Sequence, residues 1–270
     1  CKSGNRLIMA PRNTRHFLIY DLFTGVIESK ELDPLYIHKD KAYNFFNTSF
    51  LFEDYVYFIP GMYSRMVKIN TKTCEIRYLD FGYEEIVDQM PEPKRVVFAR
   101  CIVEGQYAYI TYWQGAKVLK WNLDTDTFQW LTLSNGNQAL SGIVSDGSFF
   151  WVALRDESVV LKLDLNFNII EKIKIDPSLT LHCEKPGFNY LFDSVEYLYA
   201  VPESGGGIIR IRKEDHSSEM WYEFPASTSK DLEGLSVINN NAICASKLSE
   251  KMAVLYSVKD AKIILIDLLK

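Results

Sequence analysis

The sequence predicts an all-β fold, a six-bladed β-propeller of four-stranded antiparallel blades, on three observations. A three-stranded unit recurs six times. The first strands of successive copies end at Pro11, Pro60, Tyr112, Leu154, Pro202 and Lys247, intervals of 49, 52, 42, 48 and 45 residues. A four-stranded propeller blade takes about 40–50 residues. Helical periodicity is nearly absent, with one helical turn expected over Glu84–Gln89.

The clearest copy is Gln106–Leu133. Tyr107–Tyr112 is aromatic and β-branched, suited to a pleated, half-buried surface. Gln114-Gly115-Ala116 breaks the run as a turn does. Val118–Leu123 alternates apolar and polar residues, the period of a strand with one buried face. Asp124–Thr127 is turn chemistry, because short Asp and Thr side chains bond nearby backbone. Phe128–Leu133 alternates again, completing a meander.

The other copies are Asn5–Leu32, Asp54–Phe81, Ser148–Ile175, Glu196–Phe224 and Asn241–Leu269. A fourth, inner strand precedes five of the six: Phe46–Phe52, Val97–Val103, Leu140–Ser145, Phe188–Phe192 and Leu235–Ile238. The expected blades span 5–32, 46–81, 97–133, 140–175, 188–224 and 235–269, within one domain over 1–270. The first blade is expected to lack its innermost strand, because Cys1–Gly4 is too short for one. Residues further upstream or another segment would supply it, and a seventh blade upstream is the alternative. Radial repetition leaves only short, protected sheet edges in so β-rich a chain.

With 270 residues, 47% of them hydrophobic, the chain can bury a large core. A formal net charge of -5 argues against sequence-independent nucleic-acid binding, which favours basic proteins. No run approaches the roughly 18 apolar residues of a membrane span, and no signal peptide is visible. The cysteines Cys1, Cys74, Cys101, Cys183 and Cys244 are odd in number and lack a CxxC pair, so they read as free thiols rather than a disulfide frame. Free thiols favour a reducing cytoplasm over the cell surface. Cys1 resembles the lipidated first residue of a mature lipoprotein, but strand-like sequence from Asn5 leaves no tether.

The segment Ile143–Leu165 resembles the repeat of bacterial propellers of the streptogramin-lyase and quinoprotein-like type. There, an Asp-Gly turn and a Trp-bearing strand lead to a second strand ending Asp-Leu-x-Thr-Gly, which Asp21–Gly25 matches. The likeness extends to propellers of Gram-positive bacteria and implies no particular activity. The catalytic His/Glu set of a streptogramin lyase and the acidic metal ligands of gluconolactonase-type propellers have no counterpart here.

Topology locates a site before chemistry does. Loops between second and third strands, and those linking blades, emerge on one face of a propeller. Here that face mixes arginine, aromatic and amide groups, and the candidate ligand-binding residues are Arg12, Tyr63, Arg65, Trp113, Gln114, Arg155, Glu203 and Lys247. Arginine offers a rigid fork of donors to carboxylate or phosphate, and the aromatics offer flat apolar faces. The opposite turns are acidic, with Asp54, Glu104, Asp146 and Asp193. The alternative is that all of these are ordinary solvated loop residues.

Catalytic signatures are sparse. There is no GxSxG, and Gly205–Gly207 lacks the Lys-Ser/Thr of a phosphate loop. His38 and His182 both fall in blade-linking loops, but zinc takes about four ligands, and nothing else clusters with them. No cofactor and no metal is called for. The expected function is therefore a non-catalytic binding or interaction scaffold. Its ligand would be a carbohydrate, an anionic small molecule or a protein at the loop face. The alternative is a hydrolase or lyase acting on a sugar or lactone-like substrate at the same channel mouth.

Overall fold

The computed structural model describes residues 1–11, 14–37, 45–88, 98–133, 138–180, 186–202, 207–223, 243–249, 252–257 and 262–267. Beyond residue 222 only the backbone is described. Six antiparallel sheets follow one another along the chain, and the fold is a β-propeller. Five sheets have four strands, paired in chain order, and the sixth has three among the described residues. The inner strands of the second to fifth blades are Phe46–Phe52, Phe98–Glu104, Leu140–Ser145 and Phe188–Asp193. The inner strand expected at Leu235–Ile238 lies outside the described residues. Helix Tyr83–Asp88 occupies the place of the expected helical turn.

The first blade corrects one expectation, since it has an inner strand of its own. Lys2–Ser3 pairs antiparallel with the next strand, Lys2 opposite Leu7 and Ser3 opposite Arg6. Two residues suffice because Gly4 makes the tight turn at φ 53°. Cys1 and Ile8 then exchange backbone hydrogen bonds of 2.8 Å.

Side-chain alternation explains how the blades stack. On Tyr107–Tyr112, Ala108 and Ile110 pack towards the second blade with Tyr57 and Trp121. Tyr109, pointing the other way, packs with Phe150 and Val152 of the fourth. Successive side chains of a strand face opposite sides, so one strand serves two interfaces. Ile8 and Phe17 meet Phe58 and Val67 between the first and second blades, and Trp151 and Val160 meet Leu198 and Ile209 between the fourth and fifth. Each large buried side chain contributes about 1.5–3 kcal/mol.

A second regularity lies in the hairpins joining third and fourth strands. The hairpin is opened by the carboxylate or amide of Asp21, Asn70, Asn122 or Asp164, which accepts backbone N–H bonds two to four residues on. It closes on a left-handed residue: Gly25, Cys74, Asp126, Phe167 or His216. Apart from Gly25, each of these reaches the preceding blade. Arg6 Nη1 lies 3.4 Å from Cys74 Sγ, Lys68 Nζ 2.5 Å from Asp126 Oδ2, and Glu171 Oε1 3.0 Å from His216 Nδ1. Phe167 stacks on Tyr109 with ring centres 5.1 Å apart.

Candidate functional site

Among the described residues the inner strands are sheet edges, each paired in a ladder with one strand. Those of the second to fifth blades enclose a cavity of about 660 Å³. This is the size of a small-molecule site, about 300–1,000 Å³.

The strands are irregular where they begin. The pairing shifts register between Phe46 and Thr48, between Leu140 and Ile143, and between Phe188 and Tyr190. Such bulges re-aim side chains. At the first, Asn47 Nδ2 donates to the Phe98 carbonyl at 2.8 Å. At the second, the Ser141 hydroxyl donates to the Phe188 carbonyl. The third blade has Ala99 at this point, and Thr111 takes over. Its hydroxyl donates to the Ser141 carbonyl at 2.5 Å and accepts the Arg100 N–H at 3.1 Å. Three side-chain bonds thus link the inner strands of blades two, three, four and five in series, the middle one through Thr111 of the adjacent strand.

At this end stands Arg100. Its guanidinium carbon lies 3.8 Å from the centre of the Tyr190 ring, and Nη2 donates to Asn189 Oδ1 at 3.1 Å. Arginine stacks on aromatic faces through both charge and planarity. Arg100, Asn47 and Tyr190 all line the cavity.

The far end is acidic. Glu104, Asp146 and Asp193 border it. Lys213 Nζ is 2.6 Å from Asp193 Oδ1 and 3.8 Å from Asp146 Oδ2. Burial pushes the Asp146 carboxyl up, but bonds from the Trp151 indole, the Phe149 and Ser148 amides and nearby Lys213 outweigh it, and the carboxyl sits below its usual range. It is an anchored carboxylate, not a poised proton carrier. Cys101, also on the cavity wall, packs towards the Trp121 cluster. Burial pushes its thiol up to about 12, which removes it as a nucleophile at neutral pH.

Trp113, Gln114 and Arg155 come together. Arg155 lies over the Trp113 ring at 4.3 Å, and the three border a loop pocket of about 420 Å³ with Gln138 and Glu157. Tyr112 pairs with Phe98, which places this pocket's loop at the Arg100 end of the propeller. Tyr63 and Arg65 form a separate cluster. Tyr63 is fully buried, its hydroxyl donating to the Asp33 carbonyl at 2.9 Å, so it has no surface to offer a ligand. Arg65 lies over Tyr36 at 4.7 Å and pairs with Asp80 at 3.1 Å. Arg12 and Glu203 lie outside the described residues, as do His38 and His182. Lys247 falls on strand Ile243–Ser249, whose side chains are not described. Among the described residues, no group of three or more His, Cys, Asp and Glu side chains is placed to hold a metal ion. No helix among them is long and apolar enough to cross a membrane.

Arg100, Asn189 and Asn47 lie on inner strands, not on the loops where the sequence places the candidate residues. One signal was present: Phe46-Asn47 and Phe188-Asn189 repeat a Phe-Asn pair at the start of an inner strand, and Arg100 is a charge inside the apolar run Val96–Val103.

The architecture defines a β-propeller with a polar channel. In fold it resembles the streptogramin-lyase type. Virginiamycin B lyase from Staphylococcus aureus aligns at TM-score 0.62 and 13% identity, over 98% of this chain and 82% of that one. The extracellular domain of a putative one-component system from B. thetaiotaomicron aligns at TM-score 0.59 and 14% identity, over 97% and 31%. The β-propeller domain of Myceliophteria thermophila Cps50 aligns at TM-score 0.58 and 9% identity, over 97% and 79%. No protein-family model and no curated protein matches the sequence.

Proposed function

We propose that this chain is a non-catalytic binding protein: a single six-bladed propeller that holds a ligand bearing a carboxylate in its channel. The observation that carries the reading is Arg100, stacked on Tyr190 and bonded to Asn189 at the wall of an open cavity. The stack and the amide fix the guanidinium plane before any ligand arrives, which reduces the ordering cost of binding. Trp113, Gln114 and Arg155 form the rim that such a ligand meets on entry. The anchored Asp146 and the un-ionised Cys101 thiol favour binding over turnover. A hydrolase or lyase reading draws on fold likeness alone, and fold does not imply function.

The test is calorimetry and thermal shift against acetate, lactate, gluconate, inorganic phosphate and a neutral disaccharide. At a hundredfold excess over Kd a ligand stabilises the folded protein by about 2.7 kcal/mol. A response to the carboxylates that disappears in Arg100→Met is expected. A response to the disaccharide alone, unchanged in Arg100→Met, would overturn the assignment.

A further inference from the structure

The channel is polarised along its length, and its wall between the two ends is formed by the inner strands, with Ile102, Ile143 and Leu191 among its residues. Arg100 and Glu104 belong to one inner strand, Phe98–Glu104, four residues apart. At about 3.3 Å per residue they are separated by about 13 Å along the strand. At the far end Glu104 borders the cavity beside Asp146 and Asp193, which Lys213 pairs. Between the ends run the edges of the inner strands, whose outward N–H and C=O groups belong to no ladder among the described residues, although at the Arg100 end side chains already bond the Phe98, Ser141 and Phe188 carbonyls.

An anionic group at one end, a cationic group at the other and amide-pairing groups between them describe an extended peptide. From these features we infer that the channel takes a short peptide with free termini, lying along the inner strands. Its C-terminal carboxylate faces Arg100 and its N-terminal ammonium faces Glu104. The length follows from the same rise: about four residues of extended chain cover the distance. The inference rests on the carboxylate reading above and adds the second charge, the length and the direction. The carboxylates supply direction only; the cavity and Arg100 carry the site.

The experiment is calorimetry on the full chain with an alanine ladder from dialanine to hexaalanine. It is repeated with the best member amidated at its C-terminus and, separately, acetylated at its N-terminus. The affinity is expected to peak near the tetrapeptide, and each blocked form to bind at least about tenfold more weakly, the loss of one charge-assisted hydrogen bond. Glu104→Gln should weaken the free peptide while leaving the acetylated one unchanged. Because the blocked peptides are tested on the unaltered protein, a variant that folds poorly cannot decide the result. If acetate and lactate bind through Arg100 but the ladder shows no length optimum and blocking changes nothing, the peptide inference falls and the carboxylate reading stands. If neither the carboxylates nor the peptides bind, both fall.

Discussion

Arg100 and Tyr190 stand on inner strands two blades apart, yet the guanidinium carbon lies 3.8 Å from the centre of the tyrosine ring. The contact bridges the third and fifth blades past the inner strand of the fourth. Replacing Tyr190 by Leu keeps the Arg100–Asn189 hydrogen bond and removes the ring. A partly buried cation–π contact is worth about 1–2 kcal/mol, and a loss of that size is expected in urea unfolding. Carboxylate affinity should fall with it, because the guanidinium loses the surface that holds its plane. Arg100→Lys is expected to behave like a loss rather than a conservative change, since an ammonium has no plane to stack.

Gly142 of the fourth inner strand sits against the fifth. A Cβ there would meet the Leu191 amide nitrogen at 2.7 Å and the Tyr190 carbonyl carbon at 3.0 Å. These are backbone atoms, so one strand must shift. Overpacking of this kind costs about 1–3 kcal/mol, and Gly142→Ala should lower the urea midpoint accordingly. It should also weaken ligand binding, because whichever strand moves lines the cavity. Gly187→Ala is expected to be worse. Its Cβ would collide with the Arg155 carbonyl group, which is backbone.

Lys68 has 7% of its side chain exposed and donates to Asp126, the left-handed residue of the next blade's hairpin. It also lies 5.0 Å from the Tyr55 ring centre. Removing one partner of a buried ion pair costs about 3–5 kcal/mol, and Asp126 keeps 26% of its side chain in solvent, which places Lys68→Met near the bottom of that range. Adding Asp126→Asn to Lys68→Met should cost little more. A double-mutant cycle measures this coupling directly; additive losses would mean the two residues act separately.

Much of this was legible before any coordinates. The strand repeat is a period-two signal reinforced six times, and inner strands such as Phe46–Phe52 and Leu140–Ser145 fall where alternation and turns place them. The hairpin latch was half visible. Thr24-Gly25 announces a left-handed residue, but Cys74, Asp126, Phe167 and His216 hold the same backbone without glycine. Only the neighbouring blade explains what their side chains gain there. In sequence Tyr63 looks like a loop aromatic, because sequence shows polarity and position, not the packing of Phe45, Phe46 and Tyr78 that encloses it. Arg100 is hard to pick out in sequence for the converse reason. A charge in a strand reads as half-buried decoration until the fifth blade's Tyr190 is seen beneath it.

Acid stability tests the other end of the channel. Burial raises the Asp146 carboxyl, while the Trp151 indole at 2.8 Å, two backbone amides and Lys213 lower it further, for a net depression. A carboxyl depressed by folding contributes stability that is fully present above its unfolded value, about 3.9 for Asp. That stability is lost as pH falls through the lower folded value. Asp146→Asn keeps the shape but not the charge. A hydrogen bond to a charged group is worth about 1.5–3 kcal/mol, so the variant should be less stable at pH 7 by an amount near the lower figure. The gap between the two proteins should then close as the solution is acidified below the folded value. Asp21, Asp164, Asp176 and Asp215 are also depressed, each mainly by hydrogen bonds within its own turn. They steepen the acid limb in both proteins and cancel in the difference. Urea midpoints measured in parallel from neutral to strongly acidic pH read that difference. A gap that stays constant with pH would mean that the Asp146 charge contributes nothing and that shape alone matters at this position.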